Sequence, residues 1–321
     1  MKYILGFDTS CYTTSIALVD LNGNIVLNSQ IPLEVEEGKR GLQQSKALFQ
    51  HLHRLPLITQ QICKVVQPKS DIAAVCATSR PRPVKGSYMP VFMVSHMAGQ
   101  AFANILEVPY YEVSHQESHI QAGIASAGGP DSLGFMAIHI SGGTTELLKV
   151  MDNGASYEID IIGATQDLHA GQFVDRVGVS MGLRFPAGSQ LEELALKGEA
   201  NVVTIPSSVK DLTVSFSGAE TCAQRLMKQG IRKEDIATAV YNCIIKTLEK
   251  WILNAIKVYQ LKDILLVGGV ASSRILRHEL IKRLSQRDSD IKLYFADPVL
   301  SRDNAVGTAL LGLKIYKHDA V

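Results

Sequence analysis

The stretch VSHQESHIQAG, from Val113 to Gly123, sets His115 and His119 four residues apart, just after the extended run VPYYEV. Ser114 stands where a helix N-cap would, and Glu117 three residues on completes a Ser-x-x-Glu capping box, so a helix is predicted from here. Residues four apart on a helix share a face, and two neutral imidazoles so placed can share one divalent metal ion. No Glu follows the first histidine directly, so this is not HExxH, and a zinc-protease reading lacks its general base. The pair is either two arms of a metal site or two histidines on one helix face. A metal would need ligands from elsewhere. Asp303, ahead of NAVGTALLG, is a candidate carboxylate ligand and equally a helix cap.

The elements that would position these groups show an internal repeat. YILGFD, TSCYTT, SIALVD, LNGN and IVLNSQI read as strand, small polar turn, strand, Asn-Gly hairpin turn and strand. The same order returns in FMAIHI, SGGTT, ELLKV, MDNG and ASYEIDII. One constant offset sets Thr14, Val19, Asn22 and Gly23 on Thr145, Val150, Asn153 and Gly154, and Asp8 on His139. Each half therefore opens with a hairpin whose loop can offer backbone N–H groups and hydroxyls to an anion such as phosphate. SGGTT is the better candidate, because Gly142 and Gly143 permit close backbone approach. A third signal is DILLVGGVASSRILRHELIKRL, where a buried strand meets Gly268-Gly269 and then a helix from near Ser272. Such a junction can hold a nucleotide, but it is not the GxGxxG of a dinucleotide site. Arg274, Arg277, Lys282 and Arg283 make that helix basic, and a solvated face is its plain reading. Further helices are expected over Gln43 to Val66, Val91 to Leu106, Gly171 to Leu183 and Lys233 to Tyr259, which makes the class α/β.

The whole chain narrows the function classes. Its 321 residues, 46% hydrophobic and 20% charged, suit a soluble protein of two packed domains. A formal net charge of +1 gives no global pull toward nucleic acid or membrane. Five scattered cysteines without CxxC spacing suit a reducing, cytoplasmic setting. Met1 leads straight into a strand-like run without signal-peptide architecture, and no apolar run is as long as a membrane span. Cys11 is read as small-residue packing in its loop, and His51 and His53 as surface residues of a polar helix. His169 is a lesser candidate for a pocket lining.

Together GFDTSCYTTSIALVD, VSHQESHIQAG, ISGGTTELL, HAGQFVDRVGVSMGLRFPAG, VSFSGAET, LLVGGVASSRILR and SRDNAVGTA resemble, in order, the tRNA threonylcarbamoyl transferase family, TsaD and its relatives, long labelled glycoprotease-like. The resemblance implies two duplicated actin-like ATPase domains, as in sugar kinases and heat-shock chaperones, with the site in the cleft between them. The division is expected at 1–132 and 133–321. It implies that His115, His119 and Asp303 ligate iron or zinc. His139 stands where archaeal relatives have a metal-reaching tyrosine and is a candidate fourth ligand. An adenine nucleotide or adenylate would be held by Ser141, Gly142, Gly143 and Thr144, by Gly171, Asp175 and Gly188, and by Gly268, Gly269 and Ser273. VSFSGAET, with Ser215 and Ser217, would support the core. The implied reaction moves a threonylcarbamoyl group from its adenylate to an adenosine amine beside the tRNA anticodon. The implied partners are subunits of a tRNA-modifying complex or a second copy, with tRNA and without a membrane.

The chain also departs from the family. Tyr12 and Thr13 replace two acids of the first loop, Gln172 replaces a Glu, and Ser273 replaces an Asn. TSRPRPVKGSYMP replaces a Gly-Pro-Gly-Leu loop, so Arg80, Arg82 and Lys85 are candidate phosphate or RNA contacts. Two readings follow: a transferase with a rearranged loop, or a paralogue that binds metal and nucleotide as a scaffold.

Overall fold

The computed structural model describes residues 1–10, 12–34, 42–300 and 304–320. Cys11 and Asp303 lie outside the described residues. The first sheet is built from β1 (Tyr3–Thr9), β2 (Thr13–Asp20), β3 (Ile25–Pro32), β4 (Ile72–Arg80) and β5 (Tyr110–Ser114). Between β3 and β4 lie α1 (Gln44–Thr59) and two single turns, α2 (Ile62–Val65) and α3 (Pro68–Asp71). The helix expected through Val66 is thus broken after Thr59. α4 (Phe92–Leu106) precedes β5, and α5 (His115–Ala127) follows it. The strand order is β3-β2-β1-β4-β5, antiparallel across β1, β2 and β3 and parallel from β1 to β4 to β5. β1, β2 and β4 are buried almost throughout, as an apolar strand covered on both faces requires.

The second sheet repeats this plan. It contains β6 (Gly134–Ile140), β7 (Thr145–Asp152) and β8 (Tyr157–Thr165), followed by α6 (Ala170–Ser180) and α7 (Gly188–Ala195). Two short strands, β9 (Ser208–Lys210) and β10 (Thr213–Ser215), come next, then α8 (Ser217–Lys228) and α9 (Lys233–Tyr259). β11 (Asp263–Val267), α10 (Arg274–Arg287) and β12 (Lys292–Phe295) complete it. The order β8-β7-β6-β11-β12 reproduces that of the first sheet, with β10 and β9 added beyond β8. The repeat extends to register. Asp8 faces Ser15 and Thr9 faces Thr14; in the second sheet His139 faces Glu146 and Ile140 faces Thr145, the same pairs at the same offset.

The compact units are not two halves of the sequence. One comprises Met1–Ala125, Asp152–Ile159 and Val299–Val321, and the other Ser126–Met151 and Asp160–Pro298. The first junction lies near the expected one, but the last helix, α11 (Val306–Asp319), belongs with the first sheet. The cause is a close approach: a Cβ on Gly6 would lie 2.7 Å from the Ala305 carbonyl oxygen and the Ala309 nitrogen. Gly307 meets the Ser118 carbonyl of α5 even more tightly. Small residues at both contacts let α11 pack its Ala305, Val306, Ala309 and Leu313 against Ile4, Ala17 and Ala74.

His51 corrects the surface assignment. It is fully buried on α1, where its Nε2 lies 2.8 Å from the Ser10 carbonyl and its Nδ1 2.8 Å from the Thr14 hydroxyl. A carbonyl only accepts, so Nε2 carries the proton and Nδ1 accepts from Thr14. His51 thereby ties both ends of the first hairpin loop to α1. Burial pushes its pKa below the ordinary value, although the Ser10 carbonyl opposes this. His53, one turn along, is exposed.

Two outcomes are expected. Gly6→Ala should cost about 1–3 kcal/mol of unfolding free energy, as overpacking does, whereas Gly142→Ala, which meets open space, should leave a urea midpoint unchanged. The depressed His51 pKa means the unfolded chain binds the extra proton first. Stability should therefore fall as pH drops below about 6.5. Denaturation midpoints across that range should show a shallower slope in His51→Gln.

Candidate functional site

α5 begins as the sequence predicts. The Ser114 amide donates to Glu117 Oε2 (2.8 Å), and the Glu117 amide donates to Ser114 Oγ (3.2 Å), closing the capping box. Pro81 adds its carbonyl as acceptor for the Gln116 amide at 3.0 Å, so the RPRP segment braces the same helix end. The first turn then projects the two histidines together. His115 Nε2 and His119 Nε2 lie 3.0 Å apart, with ring centroids 4.4 Å apart and planes at 75°. Nδ1 of His115 lies 3.0 Å from Asp8 Oδ1 at the end of β1, and Phe92 lies against the ring at 5.3 Å.

This pair fits a small divalent cation. Two nitrogens that each bind a tetrahedral ion at about 2.0–2.1 Å stand roughly 3.3 Å apart, a few tenths more than the observed separation. Among the described residues no group of three or more His, Cys, Asp or Glu side chains is set to hold an ion. Of the four expected ligands, His115 and His119 come together, Asp303 lies outside the described residues, and His139 belongs to the other unit. There His139 lies on β6, opposite Glu146, with its ring beside Gly268.

The nucleotide candidates converge within the second unit. In the SGGTT loop, the Ser141 amide donates to the Thr144 carbonyl at 2.8 Å, and Ser141 Oγ accepts from the Thr144 amide at 3.1 Å. Gly142 and Gly143 are exposed, with open space where a Cβ would stand. Gly171, in the first turn of α6, rests on this loop. Its amide donates to the Ser141 carbonyl, and a Cβ there would lie 2.5 Å from the Gly142 nitrogen. The loop is therefore held by the Gly171 backbone from beneath and by Ser141 Oγ from within, with Gly142 and Gly143 on its exposed side. His169 stands at the N-cap of α6, where its amide donates to Gln172 Oε1 at 3.3 Å. Gln172 thus keeps the capping geometry that the family's Glu would supply.

Further along, Asp175 Oδ1 accepts from the Ala187 amide at 2.8 Å, and burial raises its carboxyl above the ordinary range. Gly188 opens α7, and its carbonyl accepts from the Tyr241 hydroxyl at 3.0 Å. Burial and the carboxylates of Glu192 and Asp175 raise the Tyr241 phenol in turn. Gly268 adopts φ +100°, and a Cβ there would lie 2.4 Å from the Ile140 carbonyl, so the Gly-Gly turn abuts the end of β6. Gly269 meets open space. Ser273 caps α10 by accepting from the Leu276 amide at 3.2 Å and donates to Glu192 Oε1 at 2.7 Å. Glu192 also accepts from the Ile275 amide at 3.0 Å.

Glu192 and Tyr241 are the residues that sequence reasoning missed. Glu192 follows Gly188 by one helical turn, a spacing that could have pointed to it. Tyr241 lies mid-helix in α9 without any local signal.

The remaining residues singled out in the sequence sit as follows. Asp167 binds the hydroxyls of Ser215 and Ser217 and the Phe216 amide at the start of α8. Burial pushes its pKa up, but these hydrogen bonds prevail and hold it well below the carboxylate range. Arg80 pairs with Glu112 at 3.0 Å, and the Arg82 amide donates to Ser87 Oγ, while Lys85 is exposed. On α10, Arg277 is not a solvated cation: it lies over the Phe295 ring at 5.2 Å and donates to the Ala271 and Ala296 carbonyls. Among the described residues no helix is long and apolar enough to cross a membrane.

Comparison with known proteins bears on the family and the fold. The profile of TsaD, tRNA N6-adenosine threonylcarbamoyltransferase, matches residues 25–310. The enzyme of that name from Archaeoglobus fulgidus is 31% identical over 314 residues, covering 98% of this chain and 91% of its own. Among solved structures, component A of (R)-2-hydroxyglutaryl-CoA dehydratase from Acidaminococcus fermentans is 18% identical with a TM-score of 0.56, covering 100% of both chains. HypF of T. kodakarensis is 14% identical with a TM-score of 0.61, covering 99% of this chain and 48% of its own. These likenesses and the repeated strand order give the fold as the actin-like ATPase type. With its profile, its relatives and its motif order in agreement, the chain belongs to the tRNA N6-adenosine threonylcarbamoyltransferase family.

Proposed function

We propose that this chain moves a threonylcarbamoyl group from threonylcarbamoyl-adenylate to the N6 amine of the tRNA adenosine next to the anticodon. The observation that carries this reading is the convergence of His115 and His119 through Nε2, in a chain whose second unit gathers an open glycine loop, Asp175, Gly188 and the Gly268 turn. In the reaction the N6 nitrogen attacks the carbamoyl carbon, the bond from that carbon to the phosphate oxygen breaks, AMP leaves with the bonding electrons, and the amine loses a proton. Iron or zinc on His115, His119 and Asp303 would supply Lewis acidity toward oxygen. The loop of Ser141, Gly142, Gly143 and Thr144 would hold the adenylate phosphate, with the Gly142 amide and the exposed glycine backbone facing it, and Asp175 with the Gly188 and Gly268 turns would hold the adenosine. Much of the rate would then come from position, since fixing two reactants replaces a bimolecular encounter. Partner subunits of a tRNA-modifying complex and a cytoplasmic setting belong to the same reading.

A scaffold reading has one observation in its favour: Tyr12, which stands where the family carries an acid, is half-exposed and offers no carboxylate. One experiment separates the two. Elemental analysis of untagged protein should find near-stoichiometric iron or zinc, lost in His115→Ala and His119→Ala. The same preparation, with its partners, should pass a labelled threonylcarbamoyl group from the synthetic adenylate to unmodified tRNA. Metal content without transfer selects the scaffold reading, and a metal-free wild type after reloading removes the metal reading. For the glycine loop, Gly142→Val extends a side chain into open space. It should weaken AMP binding by roughly tenfold or more, the effect of losing about 1.4 kcal/mol, with the denaturation midpoint unchanged. Unaltered affinity would refute the loop assignment.

A further inference from the structure

Asp8 is a buried carboxylate without an evident structural reason. It ends the apolar run ILGF on β1, is wholly inaccessible to solvent, and among the described residues leaves Oδ2 with no hydrogen-bond partner. Taking a carboxylate out of water costs several kcal/mol unless its oxygens are satisfied, and a group kept only for stability would have both oxygens bonded. Oδ1 is instead crowded. It accepts from the Thr78 hydroxyl at 2.6 Å and lies 3.0 Å from His115 Nδ1. Thr78 is held in turn, because Ser95 Oγ donates to its carbonyl at 2.7 Å, and Ser95 is tied to Thr9 on β1. Thr78, held by Ser95, and the imidazole thus meet at the same carboxylate oxygen.

The consequence for His115 is a choice of tautomer. A carboxylate oxygen accepts, so the bond places the imidazole proton on Nδ1 and leaves Nε2 unprotonated, as a lone-pair donor. That lone pair points at the nitrogen of His119 with which a cation would be shared. The other tautomer would turn an N–H toward the cation and exclude it. We propose that Asp8 is a positioning residue of the metal centre, which sets His115 as the Nδ1–H tautomer and strengthens Nε2 as a donor. This rests on the metal reading above, but its first test does not need the metal.

In metal-free protein labelled with 15N-histidine, long-range 15N–1H correlation reads the tautomer of each ring. The His115 signals are identified by their absence from His115→Ala. His115 is expected as Nδ1–H in the neutral wild type and as Nε2–H or a mixture in Asp8→Ala. A wild-type His115 carrying its proton on Nε2 would overturn the proposal, whatever the metal content. The second test is zinc affinity by chelator competition. Asp8→Asn keeps the shape and removes the charge, and it should weaken binding about 10- to 100-fold, as loss of an outer carboxylate does. If the wild type binds zinc and Asp8→Asn binds it equally well, the positioning role falls and the metal reading stands. If Asp8→Asn fails to fold, the wild-type tautomer alone decides.

Discussion

Each half of this chain depends on one short backbone closure at a strand end. The Ser10 amide donates to the Thr13 carbonyl, and the Ser141 amide donates to the Thr144 carbonyl, so that β1 turns into β2 and β6 into β7 within four residues. These closures fix where the first strand ends, and the chemistry-bearing residues gather at that end. Asp8 and His139 occupy equivalent places just before the closures. What differs is how each closure is supported. The first is held by a side chain, since buried His51 binds the Ser10 carbonyl and the Thr14 hydroxyl. The second is held by the backbone of Gly171, which lies directly on Ser141 and Gly142, and by Ser141 Oγ, which accepts from the Gly143 and Thr144 amides.

Those features were legible in the sequence to unequal degrees, and the division follows the range of the interactions. Local patterns carried over well. The Ser114–Glu117 capping box, the Asn-Gly turns at Gly23 and Gly154, and the long helix from Lys233 to Tyr259 all formed as the sequence predicts, because each rests on contacts within a few residues. The repeat carried over further still, down to strand register, because duplicated strands inherit the same partners. Contacts made at long range left no local trace. Nothing in VGTALLG says that its helix returns to the first sheet. That follows only once Gly6 and Gly307 are seen without room for a side chain. His51 misled for the same reason: a polar-looking helix, QSKALFQHLHRL, buries the one histidine that meets a distant loop.

The candidate site divides likewise. The SGG loop and the histidine pair were visible because glycine pairs and four-residue spacing are local signals. The support beneath them was not. Glu192 satisfies the start of α10 from α7, and Tyr241 reaches the Gly188 carbonyl from the middle of α9. Both act across sequence separations that no spacing rule covers. Asp167, which gathers Ser215, Ser217 and the Phe216 amide, shows how a family motif can be wholly structural. VSFSGAET is placed by a carboxylate nearly fifty residues earlier, and its serines donate inward.

The departures from the family pattern are best understood against this support. Tyr12 and Thr13 replace acids, yet the bonds that shape the first loop run through the Ser10 amide, the Thr13 carbonyl and His51, none of which needs an acidic side chain. Gln172 replaces a glutamate and still accepts from the His169 amide. Ser273 replaces an asparagine and still caps α10 while engaging Glu192. At each position the residue present makes a hydrogen bond that shapes its element. In the RPRP segment the Pro81 carbonyl braces α5 and Arg80 pairs with Glu112.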